Sequence, residues 1–201
     1  MMTKKYMQIF TLFALLGATF SCTSIPRSDK PLPREKKWWH EQHDAIKKEL
    51  LQKQSRLLFI GNSITRGWKG KGREIWKKYF EKYNPVNLGI SGDKTHHLLW
   101  RLKEYDFSNV KPEVVILLIG TNNQKIHSPL EIAKGVFTIL ELIKRKVPSA
   151  KILCFAIFPC YEKPHPFRKK IEKANTIIAQ YADNNTVFFK NINALYLNED
   201  K

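Results

Sequence analysis

Ser63 stands in Leu57-Leu58-Phe59-Ile60-Gly61-Asn62-Ser63-Ile64-Thr65, where an apolar run stops abruptly at Gly-Asn-Ser. A buried strand that ends this way delivers a serine hydroxyl into a tight turn, and a hydroxyl held there is a candidate nucleophile. Two further stretches offer the groups an attacked carbonyl needs. Asn87-Leu88-Gly89-Ile90-Ser91-Gly92-Asp93 supplies a glycine turn, and Gly120-Thr121-Asn122-Asn123 supplies amide side chains. A backbone N–H and an Asn amide are both oxyanion donors. A serine nucleophile also needs a base, usually His. The segment where one is expected, ending Leu197-Asn198-Glu199-Asp200-Lys201, contains none. The chemistry implied is acyl transfer through serine, with its last catalytic segment missing.

The elements that position these residues follow from periodicity. Strands are expected at 57–61, 86–88, 114–119, 152–158 and 187–189. Amphipathic helices are expected at 34–53, 72–83, 95–105, 128–147 and 167–184. Ser128-Pro129-Leu130-Glu131 opens one of them with a capping box and Pro at the first helical position. Val114–Ile119 is apolar throughout, as in a strand buried on both faces. Strands alternating with helices predict a three-layer α/β/α, flavodoxin-like domain with a five-stranded parallel sheet. In such sheets ligands bind outside the carboxyl ends of the strands, the edge that carries Ser63, Gly92 and Asn122. No helix is expected after the fifth strand. An exposed apolar patch is therefore expected near the first strand and the 34–53 helix.

At these residues the chain resembles the SGNH hydrolases, also called GDSL-like esterases, and within them the platelet-activating factor acetylhydrolase Ib catalytic-subunit type. Phe59 to Thr65 is similar to the first family block, Asn87 to Thr95 to the second, and Gly120 to Asn123 to the third. The stretches His97 to Leu102 and Glu162-Lys163-Pro164 resemble the subgroup. The resemblance covers roughly residues 36–200 and rests on three ordered blocks. It implies hydrolysis of short, acetyl-like acyl esters of lipid or carbohydrate, without cofactor or metal. It assigns Ser63 as nucleophile, with the Ser63 and Gly92 N–H groups and the Asn122 side chain as oxyanion hole. Relatives of the subgroup can dimerise. Asn62 supports the turn where the family more often has Asp. The turn lacks the second glycine of the α/β-hydrolase elbow. The family's Asp-x-x-His block is absent, so the activity is expected to be impaired. His165 and His127, on loops at the catalytic edge, are the substitute bases to consider. An inactive surface binding protein of the same fold is the alternative.

The 201 residues suffice for one domain with its own core. Residues 1–21 read separately: Lys4 and Lys5 precede an apolar run from Met7 to Phe20, a secretory signal pattern too short for a comfortable span. Thr19-Phe20-Ser21-Cys22 resembles a bacterial lipobox, which implies lipidation of Cys22 and an exported, membrane-anchored lipoprotein. Residues 22–33, with Pro26, Pro31 and Pro33 among charges, read as a tether to a domain at 34–201. The net charge of +17 becomes +15 without Lys4 and Lys5. That raises a nucleic-acid or membrane-surface module as a weaker alternative. The lysines are scattered, however, with no zinc spacing or aromatic RNA-binding signature, so anionic headgroups or acidic polysaccharide are the more natural partners. Cys154 and Cys160 are six residues apart, about 20 Å if extended. A disulfide needs Cα atoms within about 7 Å, so both are expected as free thiols, with Cys154 buried.

Overall fold

The computed structural model describes residues 25–162 and 164–197. The expected signal segment 1–21, Cys22, Lys163 and residues 198–201 lie outside the described residues. Five strands, β1 (Leu57–Gly61), β2 (Val86–Asn87), β3 (Val114–Leu118), β4 (Lys151–Phe155) and β5 (Val187–Lys190), form one parallel sheet of order β2-β1-β3-β4-β5. This is the flavodoxin-like order. Registers pair Leu58 with Val86 and with Val115, Val115 with Ile152, and Ile152 with Val187.

Six helices are described: α1 (Lys37–Gln52), α2 (Ser63–Arg66), α3 (Arg73–Tyr79), α4 (Thr95–Glu104), α5 (Pro129–Lys146) and α6 (Pro166–Ala179). The start of α5 follows the sequence signal: the Ser128 N–H donates to Glu131 Oε2 at 2.8 Å, and the Glu131 N–H donates to Ser128 Oγ at 3.3 Å. Alternation then assigns the faces. Leu58, Ile60, Val115, Leu117, Ile152, Cys154 and Val187 share one face and one continuous core with residues of α1, α4, α5 and α6. Trp39, Ile46 and Leu50 bring α1 into that core.

The opposite face is less covered. Phe59 packs on Trp76 and Phe80, at ring separations of 4.7 and 5.1 Å. Beyond α3 an apolar groove of about 400 Å³ runs over Phe59, Ile116, Leu118 and Phe155. Phe188 at its far side is exposed. After β5 the described chain makes only a single 3₁₀ turn, Asn193–Tyr196, whose Tyr196 stacks near Phe158 at 4.9 Å. The expected apolar patch thus involves the first strand, but it lies on the side away from α1.

Two more expectations are corrected. The helix expected over 72–83 stops at Tyr79 and continues as a 3₁₀ turn, Glu81–Tyr83, ended by Asn84 in the left-handed region (φ 48°). Its Ile75 and Tyr79 are exposed. Residues 25–33 do not behave as a free tether. Ser28 is buried; its hydroxyl donates to the Glu131 carbonyl, and its own carbonyl accepts from Thr95 Oγ1 at 2.8 Å. The Leu32 N–H donates to the His96 carbonyl at 3.1 Å. Cys154 and Cys160 are free thiols, and burial pushes Cys154 up to about 12.

Candidate active site

The carboxyl ends of β2, β1 and β3 are neighbours at the point where the strand order reverses, which is where open α/β sheets bind ligands. Each end delivers one element of the site. β1 ends at Gly61, where a side chain would run into Thr65 and the Leu118 carbonyl, so glycine allows α2 to begin directly off the strand. Asn62 caps α2: its Oδ1 accepts from the Ile64 N–H at 3.0 Å. The amide holds the turn, although its buried Nδ2 finds no partner. Ser63, the first residue of α2, is exposed to solvent.

The second element leaves β2. Asn87 clamps it to α2: Nδ2 donates to the Thr65 carbonyl at 2.8 Å, and Oδ1 accepts from the Gly89 N–H at 2.9 Å. Gly92 then turns in the left-handed region, with φ 78°. Asp93 anchors the turn from below. Its Oδ1 accepts from Trp39 Nε1 at 2.7 Å, and its Oδ2 accepts from Arg101 Nη2 and Nε at 2.6 and 2.9 Å. Burial pushes the Asp93 carboxyl upward, while Arg101 and the Trp39 N–H oppose that shift. Arg101 also donates to the Leu88 carbonyl and Tyr105 hydroxyl, each at 2.9 Å.

The third element follows β3. Asn122 Nδ2 donates to the Asp93 carbonyl at 2.9 Å, leaving its second N–H for another acceptor. The amide is thereby tied to the residue that follows Gly92. Asn123 serves the fold instead. It is buried, accepts from the Thr95 N–H at 3.0 Å and donates to Thr95 Oγ1 at 2.8 Å. Ser63 and Ser91 line one cleft of about 400 Å³ with Arg66, Gly67, Lys69 and Lys71.

Each described histidine is engaged in the fold, and none is hydrogen-bonded to Ser63. His127 is buried: Nδ1 faces the Asn123 amide at 3.1 Å, and Nε2 donates to the Pro26 carbonyl at 2.7 Å. Both ring nitrogens are therefore used, which removes it as the substitute base considered from the sequence. His165 caps α6, accepting from the Phe167 N–H at 3.2 Å, and stacks on Tyr161 at 4.1 Å. His40 donates to the Arg34 carbonyl at 2.6 Å. Burial holds His43 and His96 down to about 4 and His97 down to about 2, so all three are neutral imidazoles near neutral pH. His97 Nδ1 accepts from the Lys94 N–H at 3.1 Å. Sequence reasoning singled out Ser63, Gly92 and Asn122. It missed the support from Asn123, and it named Arg101 only within the subgroup stretch. Asp93 and Thr95 in the second block were the signals available.

The family model described as "GDSL-like Lipase/Acylhydrolase family" matches residues 59–201. Platelet-activating factor acetylhydrolase IB subunit alpha2 from Homo sapiens is 34% identical over 155 residues, which are 77% of this chain and 66% of that protein. The Gallus gallus counterpart is 35% identical over 140 residues, 70% of this chain and 60% of its own length. The chain thus spans somewhat under two thirds of these relatives. Among solved structures, a GDSL-like lipase from Bacteroides thetaiotaomicron superposes with a TM-score of 0.63 at 24% identity, covering 79% of this chain and 82% of that one. An acetylxylan esterase from Geobacillus stearothermophilus superposes with a TM-score of 0.53 at 21% identity, covering 67% and 74%. With a family match over most of its length and its three blocks gathered on one sheet edge, the chain belongs to the GDSL-like lipase/acylhydrolase family, the SGNH hydrolases.

Proposed function

We propose that this chain is an ester hydrolase of the SGNH type that acts on short acyl esters through an acyl-serine intermediate. The observation that carries this reading is the placement of Ser63, Gly92 and Asn122 after β1, β2 and β3 at the switch point. Ser63 Oγ attacks the ester carbonyl carbon. Negative charge develops on the carbonyl oxygen and is met by the Ser63 and Gly92 N–H groups and the free N–H of Asn122. The bond to the alcohol oxygen breaks, the alcohol leaves with a proton, and water releases the acyl group from Ser63. Among the described residues none is hydrogen-bonded to Ser63 as a base. Loss of a triad member lowers kcat by up to about 10⁶ and leaves roughly 10³–10⁴ over water. Hydrolysis of p-nitrophenyl acetate is expected at no more than that residual level. The rate of an intact esterase, abolished by Ser63→Ala, would contradict the impairment. It would point to His165, whose Nε2 has no hydrogen bond among the described residues.

The engagement of every described histidine in the fold favours a second reading, a binding protein that uses the same cleft without turnover. No Ser63-dependent rate with any acyl ester would support it.

We further propose that the chain is exported and held at a bacterial membrane through lipid on Cys22. The apolar run before Cys22 supports this. Unchanged processing and membrane retention in Cys22→Ala would exclude it.

A further inference from the structure

We propose that Arg34 and Arg66 form an anion receptor at the mouth of the Ser63 cleft, which takes a phosphate or carboxylate on the alcohol part of the ester. The proposal rests on the hydrolase reading of Ser63 and adds the class of substrate.

Both guanidinium groups converge on Ser91. Arg34 Nη1 donates to the Ser91 carbonyl at 3.0 Å, and Arg66 Nη1 donates to Ser91 Oγ at 3.3 Å. Arg34 presses against the turn that precedes Asp93, since a Cβ on Gly92 would lie 2.7 Å from its Nη1. Arg66 belongs to the same helical turn as Ser63 and lines the cleft with it. Arg66 therefore shares the cleft with the attacking hydroxyl, and Arg34 lies against the glycine assigned to the oxyanion.

Their setting is built. The Arg34 guanidinium lies 5.1 Å over the Trp38 ring, and its carbonyl accepts from His40. The segment before it is pinned to the α4–α5 layer through Ser28 and Leu32. Arg34 is thus delivered to the Ser91–Gly92 turn by a fixed strap, and less conformational freedom is left to lose when a ligand binds.

Neither arginine is held in an ion pair: among the described residues, neither is within ion-pair distance of a carboxylate. The nearby carboxylates are engaged elsewhere: Asp93 with Arg101 at 2.6 Å, and Glu49 with Lys53 and Lys69 at 2.9 and 3.2 Å. Lys71 adds another cation to the cleft wall. Lys94 stands beside Arg34, and its ammonium is pushed down by burial and by the Arg34 charge. The Asp93 carboxylate offsets part of this charge, but cations remain in excess, and an anion among them relieves their repulsion. Planar guanidinium forks match the paired oxygens of phosphate or carboxylate.

The test is calorimetric titration of the full chain with glycerol 3-phosphate, galacturonate and their neutral counterparts glycerol and galactose. At least one anion is expected to bind, more weakly as salt rises, with no measurable binding of its neutral counterpart. Binding of glycerol 3-phosphate alone assigns a phosphorylated alcohol, and binding of galacturonate alone assigns an acidic sugar. Arg34→Gln and Arg66→Gln are each expected to weaken binding by about tenfold or more, the scale of one charge-assisted hydrogen bond. Backbone amide shifts at Ser91 and Gly92 should report the bound anion. Arg66 is exposed, so its variant keeps the test valid should Arg34→Gln fail to fold. The proposal is overturned if neither anion binds, if the neutral compounds bind equally, if Arg66→Gln binds as the parent does, or if the shifts fall elsewhere. Ser63→Ala separates the two claims, since it removes ester chemistry and leaves anion binding. Anion binding in a chain whose Ser63 never reacts would reject the hydrolase reading alone.

Discussion

Arg101 is fully buried and carries a full charge. It joins the Asp93 carboxylate, the Leu88 carbonyl and the Tyr105 hydroxyl, so one side chain fixes the loop that holds Gly92. A buried pair contributes little net stability, but removing one partner strands the other charge and costs about 3–5 kcal/mol. Arg101→Leu is therefore expected to lower stability by that amount in a denaturant titration. A loss within about 0.5 kcal/mol, the range of ordinary surface changes, would show that the pair is not what holds the loop. Ser63, Gly92 and Asn122 were legible in the sequence because each stands where an apolar run breaks. Arg101 could not be read this way. It lies inside a helix that its apolar pattern already explains, and its partners Leu88 and Gly61 lie on other elements. His127 was misread for a similar reason. Its partner, the Pro26 carbonyl, is far away in sequence, and burial there leaves nothing for catalysis.

The elements were legible wherever periodicity ran long enough. β1 was found at its observed limits, and α1, α4 and α5 within a few residues. α2 has only four residues and no room for a period, so the helix that carries Ser63 was read as a turn. The packed 25–33 strap was also hidden, because its hold depends on Ser28 and Leu32 meeting α4 and α5 and on Pro26 meeting His127. The seam between α1 and α4 is where pH should act. His43 on α1 stacks on Tyr105 at 4.8 Å, and His96 and His97 begin α4. Their folded values, about 4, 4 and 2, lie below the ordinary 6.5. The unfolded chain therefore binds more protons as pH falls below 6.5. The stabilisation is fully present above that pH and is lost toward 4, with His97 continuing toward 2. Each contributes at most about 1.4 kcal/mol per pH unit. The melting temperature should fall steadily from about pH 7 to about pH 4.5, and less steeply in His43→Phe. An unchanged melting temperature over that interval would rule out neutral burial of these rings.

At the scale of the whole molecule, one sheet face is sealed by α4, α5 and α6 with α1 at the edge, while the other carries α3 and an open apolar groove. The fold class and the catalytic edge were legible because alternating strands and helices admit few topologies. The side of the uncovered face was not, because no sequence signal told which face α1 would join. A charge of +15, without Lys4 and Lys5, gives such a domain a cationic surface, and at the cleft it meets the exposed serine. The proposed chemistry requires Ser63 to be a nucleophile served by Gly92 and Asn122. The most direct measurement is peptide-mapped mass spectrometry of the intact chain after exposure to an alkyl fluorophosphonate. One slowly formed adduct is expected, on Ser63, absent in Ser63→Ala. Asn122→Ala should slow its formation by about 10²–10³, the effect of removing one oxyanion donor. No adduct, an adduct on another residue, or an undiminished rate in Asn122→Ala would contradict it.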